Sequence, residues 1–371
     1  MSLSILIAAG GTGGHMVPAH ALSEELRQRG HRVTLLTDAR GLRFPGLFEG
    51  VDVHILPSAT IGGTNPVRWA QALLAIWRGR QEGRAIAHAV QAHAVVGFGG
   101  YPSLPGLLAG QSLRLPLVLH EQNAVLGRVN RWLQSQVSAI ALSYANTQRL
   151  DPGLTLKTHV TGNPVRAAVL AARDDHFHPP AADAPFELLV TGGSQGARIL
   201  AERVPGAVAA LPEKLRRRIS VTQQCREADL SAVSRQYQDA HVTADCLPYM
   251  PDLPRRMARA HLVIARAGAS TMAELMVMGR PALLVPFAAA MDDHQTANAR
   301  GFADAGAGFV IPEAALTAER LAGHITGFME SPEALDAAAA AARSLGRADA
   351  AALLANLVEA EVATAGGRMA A

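Results

Sequence analysis

One arrangement limits what this chain can fold into more than any other, and it occurs twice. A short apolar run passes straight into a glycine-rich loop and then into a helical pattern. Ser4-Ile-Leu-Ile-Ala-Ala9 leads into Gly10-Gly-Thr-Gly-Gly-His15, after which Leu22 and Leu26 recur at helical spacing and Gly30 ends the helix. Phe186-Glu-Leu-Leu-Val190 leads in the same way into Thr191-Gly-Gly-Ser-Gln-Gly-Ala-Arg198. Apolar runs bounded by turn residues read as strands buried on both faces, as in a parallel sheet. Strand, glycine loop and helix at the head of each half therefore predict an α/β chain with two Rossmann-like domains. At 371 residues the chain is too long for one typical core, which agrees. We place the first domain at residues 1–164, the second at 165–345, and a C-terminal helical piece at 346–371. Further strands are expected at Arg32–Thr37, Ala94–Phe98, Leu117–His120, Ala139–Ser143, Ile219–Thr222, His241–Thr243, Leu262–Ala265 and Leu283–Val285.

The richest stretch follows Leu262-Val-Ile-Ala265 and reads Arg266-Ala-Gly-Ala-Ser-Thr-Met-Ala-Glu274. Gly268 allows a tight turn, and Ser270 or Thr271 can cap the helix behind it. Open N–H groups and the positive end of a helix dipole make such a junction a phosphate site. Glu274 falls one turn into the helix, in reach of two ribose hydroxyls; taken alone it is as readily a capping-box acid. Gln295 and Asn298 stand at helical spacing and can face the same site. In the second glycine loop Ser194 can help cradle phosphate. The loop Tyr249-Met-Pro-Asp-Leu253 offers backbone to a flat base. In the first half, Gly97-Phe-Gly-Gly-Tyr-Pro-Ser103 and Glu121-Gln-Asn123 lie past the carboxyl ends of strands, where open α/β sheets put ligands. The first loop departs from the dinucleotide spacing G-x-G-x-x-G, because Met16 stands where the third glycine belongs. That weakens a nicotinamide-oxidoreductase reading.

Composition narrows the rest. A 49% hydrophobic and 18% charged chain is ordinary for a globular protein. Net charge is +3 and the sequence pI near 9.2, but the basic residues are scattered and aromatics are only 4%, so no nucleic-acid stacking platform is expected. Two cysteines, Cys225 and Cys246, are too few for a disulfide framework or a metal knuckle and fit a reduced cytosol. We expect no signal peptide at the start and no bilayer-spanning run. Any membrane contact is then peripheral. After the loop Ile61-Gly-Gly-Thr-Asn-Pro66, a helix carries Trp69, Leu73, Ile76 and Trp77 on one face beside Arg68, Arg78, Arg80 and Arg84. That pattern suits an interfacial amphipathic helix, and equally a core helix with a snorkelling basic end. The adjacent acids Asp174-Asp175 and Asp292-Asp293 read as solvated or capping pairs, and no D-x-D pair is available to hold a nucleotide-bound cation.

Six motifs, spread from about residue 4 to about residue 300, together resemble one family. They are Gly10–His15 with Pro18, Gly97–Ser103, His120–Asn123, Gly162-Asn-Pro-Val-Arg166, Gly193–Arg198 and the stretch from Arg266 to Asn298. This set is similar to the MurG family of undecaprenyl-diphospho-muramoylpentapeptide N-acetylglucosaminyltransferases. The resemblance implies a GT-B fold whose C-terminal helix returns to the first domain. It implies a first domain that receives lipid I at the cytoplasmic face of the inner membrane, and a second that binds UDP-N-acetylglucosamine. By position, Thr12, Gly13, Gly14, Arg166 and Ser194 would lie about the donor diphosphate, Asn123 and Gln295 would meet the sugar, and Met250 would offer backbone to uracil. Ala269, Ser270, Thr271, Met272, Ala273 and Glu274 would take the nucleoside. His294 stands where some relatives carry a second glutamine. The implied chemistry is transfer with inversion to a sugar hydroxyl, with His15 as the candidate general base and His120 and Glu121 as weaker ones. No cofactor is implied, and we expect no metal. A UDP-N-acetylglucosamine 2-epimerase, a glycolipid glycosyltransferase and a non-catalytic UDP-sugar sensor are the competing readings.

Overall fold

The structure, a computed structural model, describes residues 2–41, 46–60, 65–173, 176–181, 183–193 and 196–370, with side chains to 367. The chain divides into two compact units, Met1–Arg166 with Arg347–Ala371, and Ala167–Gly346.

The first unit is a parallel sheet of seven strands among the described residues, in the order β3-β2-β1-β4-β5-β6-β7. These are β1 (Ser4–Ala8), β2 (Arg32–Thr37), β3 (Asp52–Ile55), β4 (Ala94–Gly97), β5 (Leu117–Glu121), β6 (Ala139–Leu142) and β7 (Thr158–Val160). The central strand β1 is buried on both sides, and its side chains alternate between two cores as the pleat requires. Ile5 and Ile7 pack with Met16, Leu22 and Leu26 of α1 (Gly13–Gln28), while Leu6 and Ala8 pack with Ile76 of α2 (Pro66–Ala89) and Leu107 of α3 (Leu104–Ser112). Met16, which broke the dinucleotide pattern, is thus a core residue, 1% exposed. A short helix, α4 (Arg128–Leu133), follows β5.

The second unit repeats the plan with six parallel strands among the described residues, in the order β10-β9-β8-β11-β12-β13. They are β8 (Phe186–Thr191), β9 (Ile219–Gln224), β10 (Thr243–Leu247), β11 (Leu262–Ala265), β12 (Ala282–Leu284) and β13 (Gly308–Val310). Its helices are α5 (Ala167–Ala172), α6 (Arg198–Ala209), α7 (Glu213–Arg216), α8 (Leu230–Asp239), α9 (Leu253–Arg259), α10 (Ala269–Met278), α11 (His294–Asp304), α12 (Ala318–Glu330) and α13 (Pro332–Ser344). The last helix, α14 (Ala350–Ala370), belongs to the first unit. Leu354 and Val358 enter the α1 core, and Arg29 of the segment after α1 donates to Asn356 Oδ1 (2.7 Å), Glu359 Oε2 (2.9 Å) and the Ala352 carbonyl (3.1 Å).

Four details differ from the sequence expectations. The expected strand at His241–Thr243 begins only at Thr243, because His241 turns the chain with φ 55°. Apart from β7, which falls in the stretch before the Gly162–Arg166 motif, strands β3 and β13 went unread. The first is a short, largely exposed edge strand with one partner. The second is three residues long and opens on Gly308, where a Cβ would lie 1.9 Å from the Ala282 carbonyl oxygen. On α2, Ile76 is buried at the edge of the apolar stripe, while Trp69, Leu73 and Trp77 are exposed. The buried side of this helix is instead Ala72, Ile76, Gly79, Gly83 and Ala87; a Cβ at Gly79 would strike the Pro57 carbonyl at 2.2 Å. The segment Ile61–Thr64 lies outside the described residues.

Candidate active site

In the first unit the polar groups gather past the carboxyl ends of β1, β2, β4 and β5. Helix α1 begins at Gly13 behind Thr12, whose side chain makes no cap bond to the helix backbone. The Thr12 hydroxyl instead lies 3.2 Å from His15 Nδ1. If Nδ1 carries the proton and donates to that hydroxyl, Nε2 keeps its lone pair, which is the form a base requires. Gly100, with φ 71°, turns the Gly97–Ser103 loop against this imidazole, and a Cβ there would lie 3.3 Å from His15 Cε1. The two loops also meet at Gly10, where a Cβ would fall 2.6 Å from Pro102 Cβ and 2.8 Å from Asp38 Oδ1.

Asp38 and Arg40 were missed from the sequence. Asp38 Oδ1 accepts the Gly11 N–H at 3.2 Å, and its Oδ2 accepts Arg40 Nε at 2.6 Å. The signal was present: Asp38 directly follows β2, the same strand-end position that singled out Glu121 to Asn123.

Behind the Gly97–Ser103 loop, the motif His120-Glu-Gln-Asn123 is a hydrogen-bonded brace. Gln122 Nε2 donates to the Phe98 carbonyl (3.0 Å) and to His120 Nδ1 (3.0 Å), so His120 Nε2 bears the hydrogen it gives to the Gly162 carbonyl (3.1 Å). Burial pushes the His120 pKa down to about 4. Glu121 accepts four donors: Asn123 N (3.1 Å) and Nδ2 (3.2 Å), Gly127 N (2.8 Å) and Asn130 Nδ2 (2.9 Å). Burial raises its carboxyl above the usual range, and the four donors pull the other way. Both side chains are nearly closed to solvent, His120 at 0% and Glu121 at 2%, so neither can take a proton from a substrate. Glu121 instead holds the half-buried Asn123, while His120 ties Gln122 to the Gly162 carbonyl. Arg166 closes the unit and is close enough to α1 that its charge contributes to lowering the His20 pKa, after burial as the main cause.

In the second unit Gly192 lies close against Ala197: a Cβ at Gly192 would meet Ala197 N at 2.3 Å. Thr191 Oγ1 donates to Gln224 Oε1 (2.9 Å), whose amide reaches the Pro248 carbonyl (3.5 Å) and so ties the end of β8 to the Tyr249-Met250 segment. Tyr249 is exposed, whereas the Met250 side chain is buried, which leaves backbone as what Met250 can offer a ligand. Ser194 lies outside the described residues, as do Asp174 and Asp175.

Helix α10 starts at Ala269 with Gly268 as its N-cap, and no side chain caps it. Ser270 and Thr271 are therefore first-turn residues and not caps, since the backbone is already helical at both. Gly268 has φ −69° and a Cβ there would meet nothing within 4 Å, so the turn does not demand glycine. Glu274 is 5% exposed and sits in the second turn. A capping-box acid would stand at position 271, so that alternative falls. Met272 and Ala273 are buried beside it. Asn298 is fully buried and donates to the Ala267 carbonyl at 3.1 Å, so it buttresses the turn and does not face a ligand. Gln295 Oε1 accepts the Phe287 N–H at 2.9 Å, and His294 Nδ1 bonds the Met291 carbonyl at 2.8 Å. Asp292 and Asp293 both have positive φ, and Asp293, at the N-cap of α11, is exposed and makes no cap bond. It is a solvated acid and not a cap.

The helices that follow the glycine turns, α1, α6 and α10, all begin without a side-chain cap. Helix starts of this kind direct N–H groups and a partial positive charge toward an anion. Among the described residues there is no group of three or more His, Cys, Asp and Glu placed to hold a metal ion.

Comparison with known proteins agrees with this layout. Residues 5–142 match the glycosyltransferase family 28 N-terminal domain, and residues 187–354 match the family 28 C-terminal domain. A Zymomonas mobilis protein named UDP-N-acetylglucosamine–N-acetylmuramyl-(pentapeptide) pyrophosphoryl-undecaprenol N-acetylglucosamine transferase is 50% identical over 359 residues, covering 96% of this chain and 92% of that protein. A Rhizobium meliloti protein of the same name is 48% identical, covering 96% and 95%. The crystal structure of Acinetobacter baumannii MurG superposes with a TM-score of 0.78 at 30% identity, covering 96% of this chain and 99% of that one. A Neisseria meningitidis UDP-GlcNAc 2-epimerase shares the fold, with a TM-score of 0.67, at only 12% identity over 96% and 99% of the two chains.

Proposed function

This chain belongs to the MurG family within glycosyltransferase family 28, and from that premise we propose that it moves N-acetylglucosamine from UDP-N-acetylglucosamine to the 4-hydroxyl of the muramoyl residue of lipid I, giving lipid II. The observation that carries this reading is near-full-length similarity to transferases of that name, joined to uncapped helix starts at the glycine turns of both units.

In this reading the leaving UDP develops negative charge on its diphosphate, and helix N-termini with glycine N–H groups stabilise it. Thr12, Gly13, Gly14, Arg166 and Ser194 serve the diphosphate, Asn123 and Gln295 the sugar, Met250 the uracil, and Ala269 to Glu274 the nucleoside. Direct displacement with inversion needs a base at the acceptor hydroxyl, and His15, oriented by Thr12, takes that role. The first unit receives the acceptor and the second the donor. No step is assigned to a metal, so EDTA leaves turnover intact; activity lost to EDTA and restored by magnesium would contradict this.

No helix among the described residues is long and apolar enough to cross a membrane. Yet the acceptor carries an undecaprenyl chain, and α2 exposes Val67, Trp69, Leu73, Leu74 and Trp77 beside Arg68 and Arg78. Such a surface suits the interface of an anionic leaflet, so we place the enzyme peripherally on the cytoplasmic face of the inner membrane. Radiolabelled UDP-N-acetylglucosamine incubated with a lipid I analogue tests the function. Label should enter an organic-extractable disaccharide product. Label found only in free sugar or in an epimer would refute the reading.

A further inference from the structure

We propose that Glu313, which lies in no glycine loop and in none of the sequence motifs, is a positioning residue for the donor sugar, acting through Arg266 and Gln295. The inference rests on the reading of Gln295 as the group that meets the N-acetylglucosamine.

Glu313 opens a single 3-10 turn, Glu313–Ala315, just beyond β13. Its Oε1 lies 2.5 Å from Arg266 Nη1, and the pair is largely shielded, with side chains 24% and 11% exposed. The same nitrogen of Arg266 donates to the carbonyls of Val285 (3.1 Å) and Pro286 (3.2 Å). Its guanidinium carbon lies 5.3 Å from the centre of the Phe287 ring. One cation thus draws together the exits of β11 and β12 and the turn after β13, and Glu313 is the counter-charge that holds it there.

The consequence is felt at Gln295. The Phe287 N–H, next in the chain after the two carbonyls that Arg266 grips, donates to Gln295 Oε1 at 2.9 Å. That bond orients the side-chain amide and leaves its NH2 as the end to turn toward a ligand. That end is purely a donor, so it selects a lone pair on the sugar, from a hydroxyl or the acetamido carbonyl. If Glu313 no longer holds Arg266, the segment from 285 to 287 loses its anchor and the amide loses its fixed orientation.

Steady-state kinetics with UDP-N-acetylglucosamine and a lipid I analogue tests this, with product inhibition by UDP as the internal reference. Glu313→Gln should raise KM for the donor by roughly tenfold, the scale of one charge-assisted hydrogen bond. It should leave the acceptor KM, the inhibition constant of UDP and the melting temperature near those of the parent. Glu313→Asp, which keeps the charge, should recover part of the loss. Gln295→Ala should raise the donor KM as well, and adding Glu313→Gln to it should change little further. If Gln295→Ala leaves the donor KM unchanged, the reading of Gln295 as the sugar contact is wrong and the inference falls with it. If Gln295→Ala raises the donor KM but Glu313→Gln does not, or the two effects multiply, the positioning role is overturned while that reading stands. A UDP inhibition constant that rises in step with the donor KM would mean general damage to the unit, and would also overturn it.

Discussion

At the scale of single residues, the site divides into groups that can face a substrate and groups that hold them. His15 is half-buried, with one ring nitrogen turned to the Thr12 hydroxyl. Loss of a general base costs about a hundredfold or more in turnover. We therefore expect His15→Ala to lower kcat by that order at every pH tested, and near-normal turnover across the pH range would remove it from the mechanism. Glu121 belongs to the second group. Replacing it with glutamine sets an NH2 against donors that now meet a carboxylate, so Glu121→Gln should cost about 1–3 kcal/mol of stability, read in urea unfolding. An unchanged midpoint would show that the brace is not structural. The sequence made His120 to Asn123 visible as a cluster but could not rank its members. Burial and bond direction separate Glu121 from Asn123, and both depend on residues far along the chain, such as Asn130 and Gly162. Asp38, Arg40 and Glu313 went unread for the same reason: a lone charged side chain acquires meaning only from what the fold sets beside it.

At the scale of elements, most of what was legible came from continuous apolar runs. The strands β1, β2, β4, β5, β8 and β11 were readable because both their faces are buried. Strand β3 was not, because it is four residues long, lies at the sheet edge and buries none of them fully. Helix α2 was legible as amphipathic, but not which of its sides meets the core. Small residues, Ala72, Gly79, Gly83 and Ala87, make its buried side, while the tryptophans that look like core face outward. At α10 the opposite happened, since the helix opens on a glycine that its own backbone does not need. Space left open at a helix start is the kind of room a bound phosphate or ribose would fill. Gly268→Ala should therefore leave the melting temperature unchanged and raise the donor KM several-fold. If both stay at parent values, the space beside Gly268 holds no part of the donor.

At the scale of the whole molecule, each unit carries an imidazole, fully buried at His120 and partly exposed at His261, that the fold favours in its neutral form. Burial lowers His120 in the first unit and His261 in the second from 6.5 to about 4, with the Arg280 charge adding to the effect at His261. His261 Nδ1 accepts the Glu187 N–H at 2.9 Å, a bond that protonation would break. Because both folded values lie below the unfolded one, the unfolded chain takes up protons first as pH falls. Stability is thus complete above about 6.5 and declines as pH drops through that value toward about 4. The fully buried His120 contributes on the order of 3 kcal/mol to that decline, and the partly exposed His261 less. Urea midpoints should fall steadily over this window, and His261→Gln, which can still accept the Glu187 N–H, should flatten the fall; a midpoint indifferent to pH would contradict it. The central claim concerns the reaction itself, and the same fold serves epimerases as well as transferases. Its most direct test is UDP release from UDP-N-acetylglucosamine, followed with and without a lipid I analogue. Release that depends on the analogue and matches disaccharide formed is the predicted result. Release without any acceptor would mean hydrolase or epimerase chemistry, and saturable donor binding with no release would mean a sensor; either would contradict the account.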